Sequence, residues 1–231
     1  MSEKYAFSPE TLIKAYTLGV FPMAESADSP DIQFYAPDFR GLIPLAIDGP
    51  TRFHVPRRLR RTVRQTRLSV TIDRAFADVI AQCAEPHSNR ASTWINQDIK
   101  ALYIALHKLG FAHSVEVWDG ETLVGGLYGV ALRSAFFGES MFSRVTDASK
   151  IALVHLVARL RAGGFTLLDA QFHNDHLEQF GLFEVPREEF EEMLATALSQ
   201  PADLALGQPS GPMINDLLSA LVSPQNTRTY M

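Results

Sequence analysis

Apolar positions along this chain change period several times, and each change marks an element. Ser8-Pro9-Glu10 reads as an N-cap, a proline at the first helical position and an acid near the positive helix end, followed by Leu12, Ala15 and Tyr16 on one inward face and a stop near Gly19. Val20-Phe21-Pro22 leads into the turn cluster Asp28–Asp31, with strand-like pieces at Ile32–Tyr35 and Gly41–Leu45. Leu68–Ile72 predicts a strand, and Asp73 predicts the cap of a helix carrying Phe76, Val79, Ile80 and Cys83 inward. After a polar loop over 85–93, Asn96 opens an amphipathic helix through Leu102, Leu106 and Leu109 that Gly110 ends.

The centre switches to strand periods. His113–Trp118 alternates, Asp119-Gly120 is a hairpin turn signal, and the runs Leu123–Leu132 and Ala135–Met141 complete an antiparallel meander. Asp147 then starts a helix rich in Ile151, Leu153, Val154, Leu156 and Val157, ended by Gly163-Gly164. A strand over Phe165–Phe172, a short helix around Asp175–Gln179, a strand at Leu182–Val185 and a helix opened by Pro186 follow. Two helices, three antiparallel strands, then helix, strand, helix, strand is the arrangement of the acetyltransferase superfamily. The expected fold class is therefore α+β. A small N-terminal α+β domain over 1–65 precedes an acetyltransferase-like (GNAT-type) mixed-sheet domain over 66–198, and 199–231, with four prolines and few large apolar residues, is expected to be a loosely attached tail.

Composition narrows the class. The chain has 231 residues, 46% of them hydrophobic and 20% charged, which is ordinary for a globular protein. No apolar run approaches the roughly 18–20 residues that span a bilayer, so no membrane partner is expected. Met1-Ser-Glu-Lys-Tyr lacks the basic and apolar regions of a signal peptide, and the single cysteine, Cys83, cannot form an internal disulfide. These features lead to the expectation of a cytoplasmic protein with Cys83 as a small core residue. Net charge is −5, yet residues 52–67 hold seven arginines and no acid, leaving −12 on the rest of the chain. Such a strip fits a polyanion footprint, the use of arginine without lysine favouring bidentate phosphate contacts. It also fits a solvated helix whose arginines pair with acids elsewhere.

Candidate chemistry sits at two strand ends. Gly138-Glu139-Ser140 places a carboxylate and a hydroxyl where apolar residues would seal a sheet, and the later strand does the same with Asp169 and Gln171. Burying a carboxylate costs several kcal/mol unless it is paired or hydrogen-bonded, so Glu139 calls for a partner, a substrate or both; a plain ion pair with Lys150 is one reading. A coenzyme A enzyme of this topology needs a glycine-rich turn before the next helix, but Ser143–Lys150 contains no glycine. Ser140 lacks the second glycine of a nucleophile elbow, and His173 and His176 lack zincin spacing, so neither a serine hydrolase nor a metal site is expected. Gly125-Gly126 within a strand signals either a close approach or a bulge. Trp94, in the loop before the second helix of the core, suits either a cover on the core or stacking on a base.

Taken together these residues resemble the leucyl/phenylalanyl-tRNA–protein transferase family. The matching pieces are Gly19-Val-Phe-Pro22, Thr93-Trp-Ile95, His113–Trp118, Leu123–Val130, Gly138–Ser143, Ala148-Ser-Lys150, Leu168-Asp-Ala-Gln171 and Asp175-His176, and they cover about residues 8–198. The resemblance implies transfer of Leu, Phe or Met from aminoacyl-tRNA to proteins with N-terminal Arg or Lys, marking them for degradation, with no cofactor and a monomeric enzyme. It implies Gln171 as the acceptor of a hydrogen bond from the attacking amine and Asp169 as the group that orients or polarises that contact. Glu139 is implied as a substrate contact that, with Asp169, favours a cationic acceptor; Leu127, Phe136, Leu153 and Leu156 as the side-chain pocket; Trp94 as a platform for the terminal adenosine; and Arg57, Arg58, Arg61 and Arg64 as contacts to acceptor-stem phosphates. The chain is expected to lack the longer N-terminal extension of many members. Met23 stands where a tryptophan is common and Phe34-Tyr35 where a tryptophan pair is, which leaves stacking by the N-terminal part open. The competing expectations are a related transferase with another donor, such as arginyl-tRNA, and a non-catalytic tRNA- or N-degron-binding module.

Overall fold

Asn96 and Ser8 show how local chemistry starts the helices. In this computed structural model, which describes residues 8–85, 92–204, 207–208 and 210–222, Ser8 Oγ accepts from the Thr11 amide at 3.2 Å and Asn96 Oδ1 from that of Ile99 at 2.8 Å. The first 65 residues give α1 (Pro9–Thr17), β1 (Phe21–Ala24), β2 (Ile32–Tyr35), β3 (Phe39–Leu42) and α2 (Arg57–Gln65). Next come β4 (Ser69–Ile72), α3 (Phe76–Ala84), α4 (Gln97–Lys108), β5 (Ala112–Asp119), β6 (Thr122–Leu132) and β7 (Ala135–Ser143). The chain continues with α5 (Ala148–Ala162), β8 (Leu167–Gln171), α6 (Asp175–Glu178), β9 (Phe183–Pro186), α7 (Arg187–Ser199) and α8 (Ser210–Ala220). Positions 86–91 of the expected polar loop, and 1–7 and 223–231 at the two ends, lie outside the described residues.

β1 and β2 form a hairpin, while seven strands form one sheet in the order β4-β5-β6-β7-β8-β3-β9. Only β7 and β8 are parallel, and α5 is the crossover that a parallel pair requires. Side chains alternate between two cores. Leu127, Phe136 and Leu168 pack on the face that meets α2, α5 and α8, whereas Tyr128, Phe137 and Leu167 pack on the face that meets α1, α3, α4 and α7. With both faces covered, β5 is buried along seven of its eight residues, not alternately exposed. A Cβ on Gly125 would lie 2.4 Å from the Ala148 Cβ, so the glycine lets α5 approach the sheet. Among the described residues no helix is long and apolar enough to cross a membrane.

Three local expectations change. Asp73 does not cap α3; with a φ of 57° it turns back, its Oδ2 lying 2.7 Å from His113 Nδ1 and its Oδ1 accepting from the Ser114 amide at 2.9 Å. The strand placed at Gly41–Leu45 within the N-terminal unit is β3, and it inserts between β8 and β9 in the large sheet, where both of its edges find antiparallel partners. In the segment expected to hang loosely, α8 buries Met213, Ile214, Leu217 and Leu218 in the α5 core. Arg159 of α5 holds the approach to it, donating to the carbonyls of Leu204 (2.9 Å) and Gln208 (3.0 Å) and to Ser210 Oγ (2.9 Å). The four prolines of that segment mask the short helical period of Met213, Ile214, Leu217 and Leu218.

Candidate active site

The site arises where the parallel pair stops pairing. β7 and β8 stay in register up to Phe137 and Asp169. Just beyond, β7 pairs Ser140 with Tyr128 and Gly138 with Gly129, which leaves Glu139 as an extra residue; β8 pairs Gln171 with Gly41 and Asp169 with Leu42, which leaves Ala170 as one. Such bulges bend a strand and re-aim its side chains. A Cβ at Gly129 would meet the Phe137 carbonyl at 2.3 Å, so the β7 bulge needs glycine opposite it. Between the separated strand ends opens a cleft of about 300 Å³, lined from both cores of the protein.

Its floor is polar and densely hydrogen-bonded. Asp169 is completely buried and takes Arg40 as a fork, Nε to Oδ1 at 2.8 Å and Nη2 to Oδ2 at 2.5 Å. Arg40 Nη1 also donates to the Gly19 carbonyl at 2.9 Å, and the guanidinium lies over the rings of Phe21 (4.6 Å) and Phe190 (4.4 Å). Asp169 Oδ1 accepts the Gln171 amide at 2.8 Å and so holds Gln171 at a φ of 67°, a backbone conformation that non-glycine residues rarely adopt. Asp169 is thus a neutralised anchor for the Gln171 backbone.

Glu139, only 9% exposed, accepts from Tyr16 at 2.6 Å, Tyr103 at 2.8 Å and Gln171 Nε2 at 3.0 Å, and the two tyrosine hydroxyls also touch each other. Burial pushes its carboxyl up to about 7, offset by those three hydrogen bonds and reinforced by the nearby charge of Asp169. Burial and the Glu139 charge push both tyrosines well above their ordinary range. The Lys150 ion pair does not form: Lys150 reaches Asp147, three residues back, at 3.1 Å. A carboxylate can only accept, so Glu139 takes the NH₂ side of the Gln171 amide, and no hydrogen bond among the described residues uses Gln171 Oε1.

Above this floor Leu127, Leu153 and Leu156 line an apolar wall with Ile43, Met141 and Leu168. Phe136 is not part of the lining; it is fully buried behind the wall, edge-on to Phe165 at 6.5 Å. Trp94 lines the cleft, as does Met23, and the Trp94 carbonyl ties to the Ala24 amide at 3.2 Å. Phe34 and Tyr35 are exposed on β2 and are not among the lining residues. At the rim His173 Nε2 sits 3.0 Å from Glu178 and 3.5 Å from Asp175, with Glu184 3.7 Å from its Nδ1.

Helix α2 lies on the α5 face, with Leu59 and Val63 turned into that core and Arg57, Arg58, Arg61 and Arg64 exposed. Arg61 donates to Gln65 at 3.0 Å and Arg64 to the Leu218 carbonyl at 3.1 Å. Among the described residues none of these four forms an ion pair; Arg67, beyond the helix, reaches Asp119 at 3.5 Å. Arg40, Tyr16 and Tyr103 carry much of the site and were not singled out from the sequence. Arg40 could have been: a lone arginine in a strand beside Gly41-Leu42-Ile43 asks for a buried anion.

Fold and cleft together define an α+β protein with a mixed seven-stranded sheet, whose cleft gathers Glu139, Asp169 and Gln171 where its parallel pair of strands separates. The chain belongs to the leucyl/phenylalanyl-tRNA protein transferase family: residues 47–195 match the model of that description and residues 5–38 match that of its N-terminal domain. Similar proteins are the leucyl/phenylalanyl-tRNA–protein transferases of Hyphomonas neptunium (59% identical over 197 residues, 85% of this chain and 74% of the relative) and Phenylobacterium zucineum (58% over 202 residues, 87% and 89%). A third, of the same description, is from Rhodopseudomonas palustris (53% over 216 residues, 94% and 92%).

Proposed function

We propose that this chain transfers leucine, phenylalanine or methionine from aminoacyl-tRNA to the α-amine of proteins that begin with Arg or Lys, acting as a cytoplasmic monomer that marks its acceptors for degradation. The observation that carries the reading is the apposition of an apolar wall, Leu127, Leu153 and Leu156, with a glutamine whose side-chain amide is held by Glu139 and whose backbone amide is held by the Asp169 anchor. The donor is an ester, so its aminolysis needs alignment of amine and carbonyl and removal of one proton. A free α-amine titrates near 7.7–8.0 and is partly neutral at physiological pH. Gln171 Oε1 accepts one N–H of that amine and fixes the direction of attack.

The wall discriminates by size, at roughly 1–3 kcal/mol per methylene, which suits several unbranched or aromatic donors. Trp94 offers a face for the terminal adenosine, and the exposed arginines of α2 suit acceptor-stem phosphates. Asp169 is neutralised by Arg40 and adds little attraction for a cation, so preference for Arg or Lys falls to Glu139 and to the rim carboxylates Asp175, Glu178 and Glu184. The absence of an acid among the wall residues disfavours an arginyl donor. Incubation with labelled Leu-tRNA and an Arg-initiated peptide should yield the Leu-Arg peptide; intact tRNA binding without transfer would instead favour a non-catalytic binding module.

A further inference from the structure

We propose that Glu139 takes the proton released by the attacking α-amine and returns it to the ribose oxygen that leaves, an assignment that rests on the aminoacyl-transfer reading above. Tyr16, Tyr103 and Glu139 form a closed ring of three oxygen contacts: Tyr16 to Oε1 at 2.6 Å, Tyr103 to Oε2 at 2.8 Å, and hydroxyl to hydroxyl. Each contact needs one proton. Two hydroxyls supply two, so with Glu139 ionised one contact is left as two facing oxygens. A proton on Glu139 gives three for three, while the Gln171 Nε2 bond at 3.0 Å occupies a separate lone pair. The ring is therefore built to accept one proton and release it.

Other cleft groups are poorly placed for the task. Asp169 has both oxygens engaged by Arg40 and no exposure, Gln171 does not titrate, and His173 sits at the rim against Glu178. Groups acting on Glu139 come from α1 (Tyr16), α4 (Tyr103), β6 (Tyr128, through the two tyrosines) and β8 (Asp169, Gln171), and Arg40 of β3 is spent on Asp169. Its carboxyl, pushed up to about 7, matches an amine donor and an alkoxide acceptor. As the C–N bond forms, the nitrogen carries two protons; one stays on the hydrogen bond to Gln171 Oε1 and the other passes to Glu139. The C–O bond to ribose then breaks and Glu139 protonates that oxygen, so the products are an amide and a free hydroxyl and the enzyme is restored.

The test is the pH dependence of single-turnover transfer from Leu-tRNA to a weakly basic acceptor amine that stays neutral across the range. Wild-type rate should rise through one titration at about 7 and then level. Glu139→Gln should lower the plateau by about 10²-fold or more and remove the titration. Tyr103→Phe opens the ring, removing both its bond to Glu139 and its contact with Tyr16, so the titration should leave its wild-type position by about one unit. A flat wild-type profile, a titration retained in Glu139→Gln, or an unmoved one in Tyr103→Phe would overturn the assignment. No wild-type transfer even to an ordinary Arg-initiated peptide would instead sink the aminoacyl-transfer reading.

Discussion

At the floor of the cleft, Arg40, Asp169 and Glu139 are each engaged by the protein itself; on α2, four exposed guanidinium groups have no carboxylate against them among the described residues, only the Gln65 amide at Arg61 and the Leu218 carbonyl at Arg64. Desolvation explains the contrast. A charge removed from water needs compensation inside the fold, whereas an exposed arginine keeps its hydration and remains free to exchange it for a phosphate. The buried set therefore fixes geometry for chemistry, and the exposed set supplies attraction without geometry. Leu59 and Val63 anchor α2 and hold its arginines on one surface, while Phe21 and Phe190 enclose Arg40.

The sharpest way to break the contrast is Arg40→Met. It strands a buried carboxylate and should cost about 3–5 kcal/mol of stability in urea unfolding, with loss of transfer because Gln171 loses its anchor; a loss below about 1 kcal/mol would mean that Asp169 finds water. Next is the fourfold exchange of Arg57, Arg58, Arg61 and Arg64 to Gln. It should leave stability nearly unchanged, weaken tRNA binding on the order of 10²-fold at low salt, and flatten the salt dependence by about one unit of slope per lost phosphate contact. An unchanged slope would return α2 to the role of a solvated surface. Trp94→Ala should have the smallest effect, on the order of 1–3 kcal/mol in binding a 3′-terminal fragment, and equal loss with a fragment lacking its last base would exclude stacking.

Legibility of the molecule followed the range of its interactions. The run from Asn96 to Gln171 could be read because caps, the Asp119-Gly120 turn and the change from helical to strand period are local signals. Asp169 and Gln171 stood out as polar residues in an apolar strand. The Arg40–Asp169 pair spans 129 positions, and nothing local to either names the other. The bulge that aims Glu139 is invisible in Gly138-Glu139-Ser140, because it depends on which residues of β6 pair across it. The resemblance assigns Phe136 to the wall, yet β7 places it a layer behind Leu127 and Leu153.

The division between a chemical floor and a binding surface is tested most directly by measuring, for Gln171→Ala, the single-turnover rate at saturating Leu-tRNA together with tRNA affinity. The account predicts a fall in rate of about 10²-fold with affinity nearly unchanged, as expected when only the alignment of amine and ester is lost. A matching loss in affinity, or a rate within about twofold of the wild type, would contradict it.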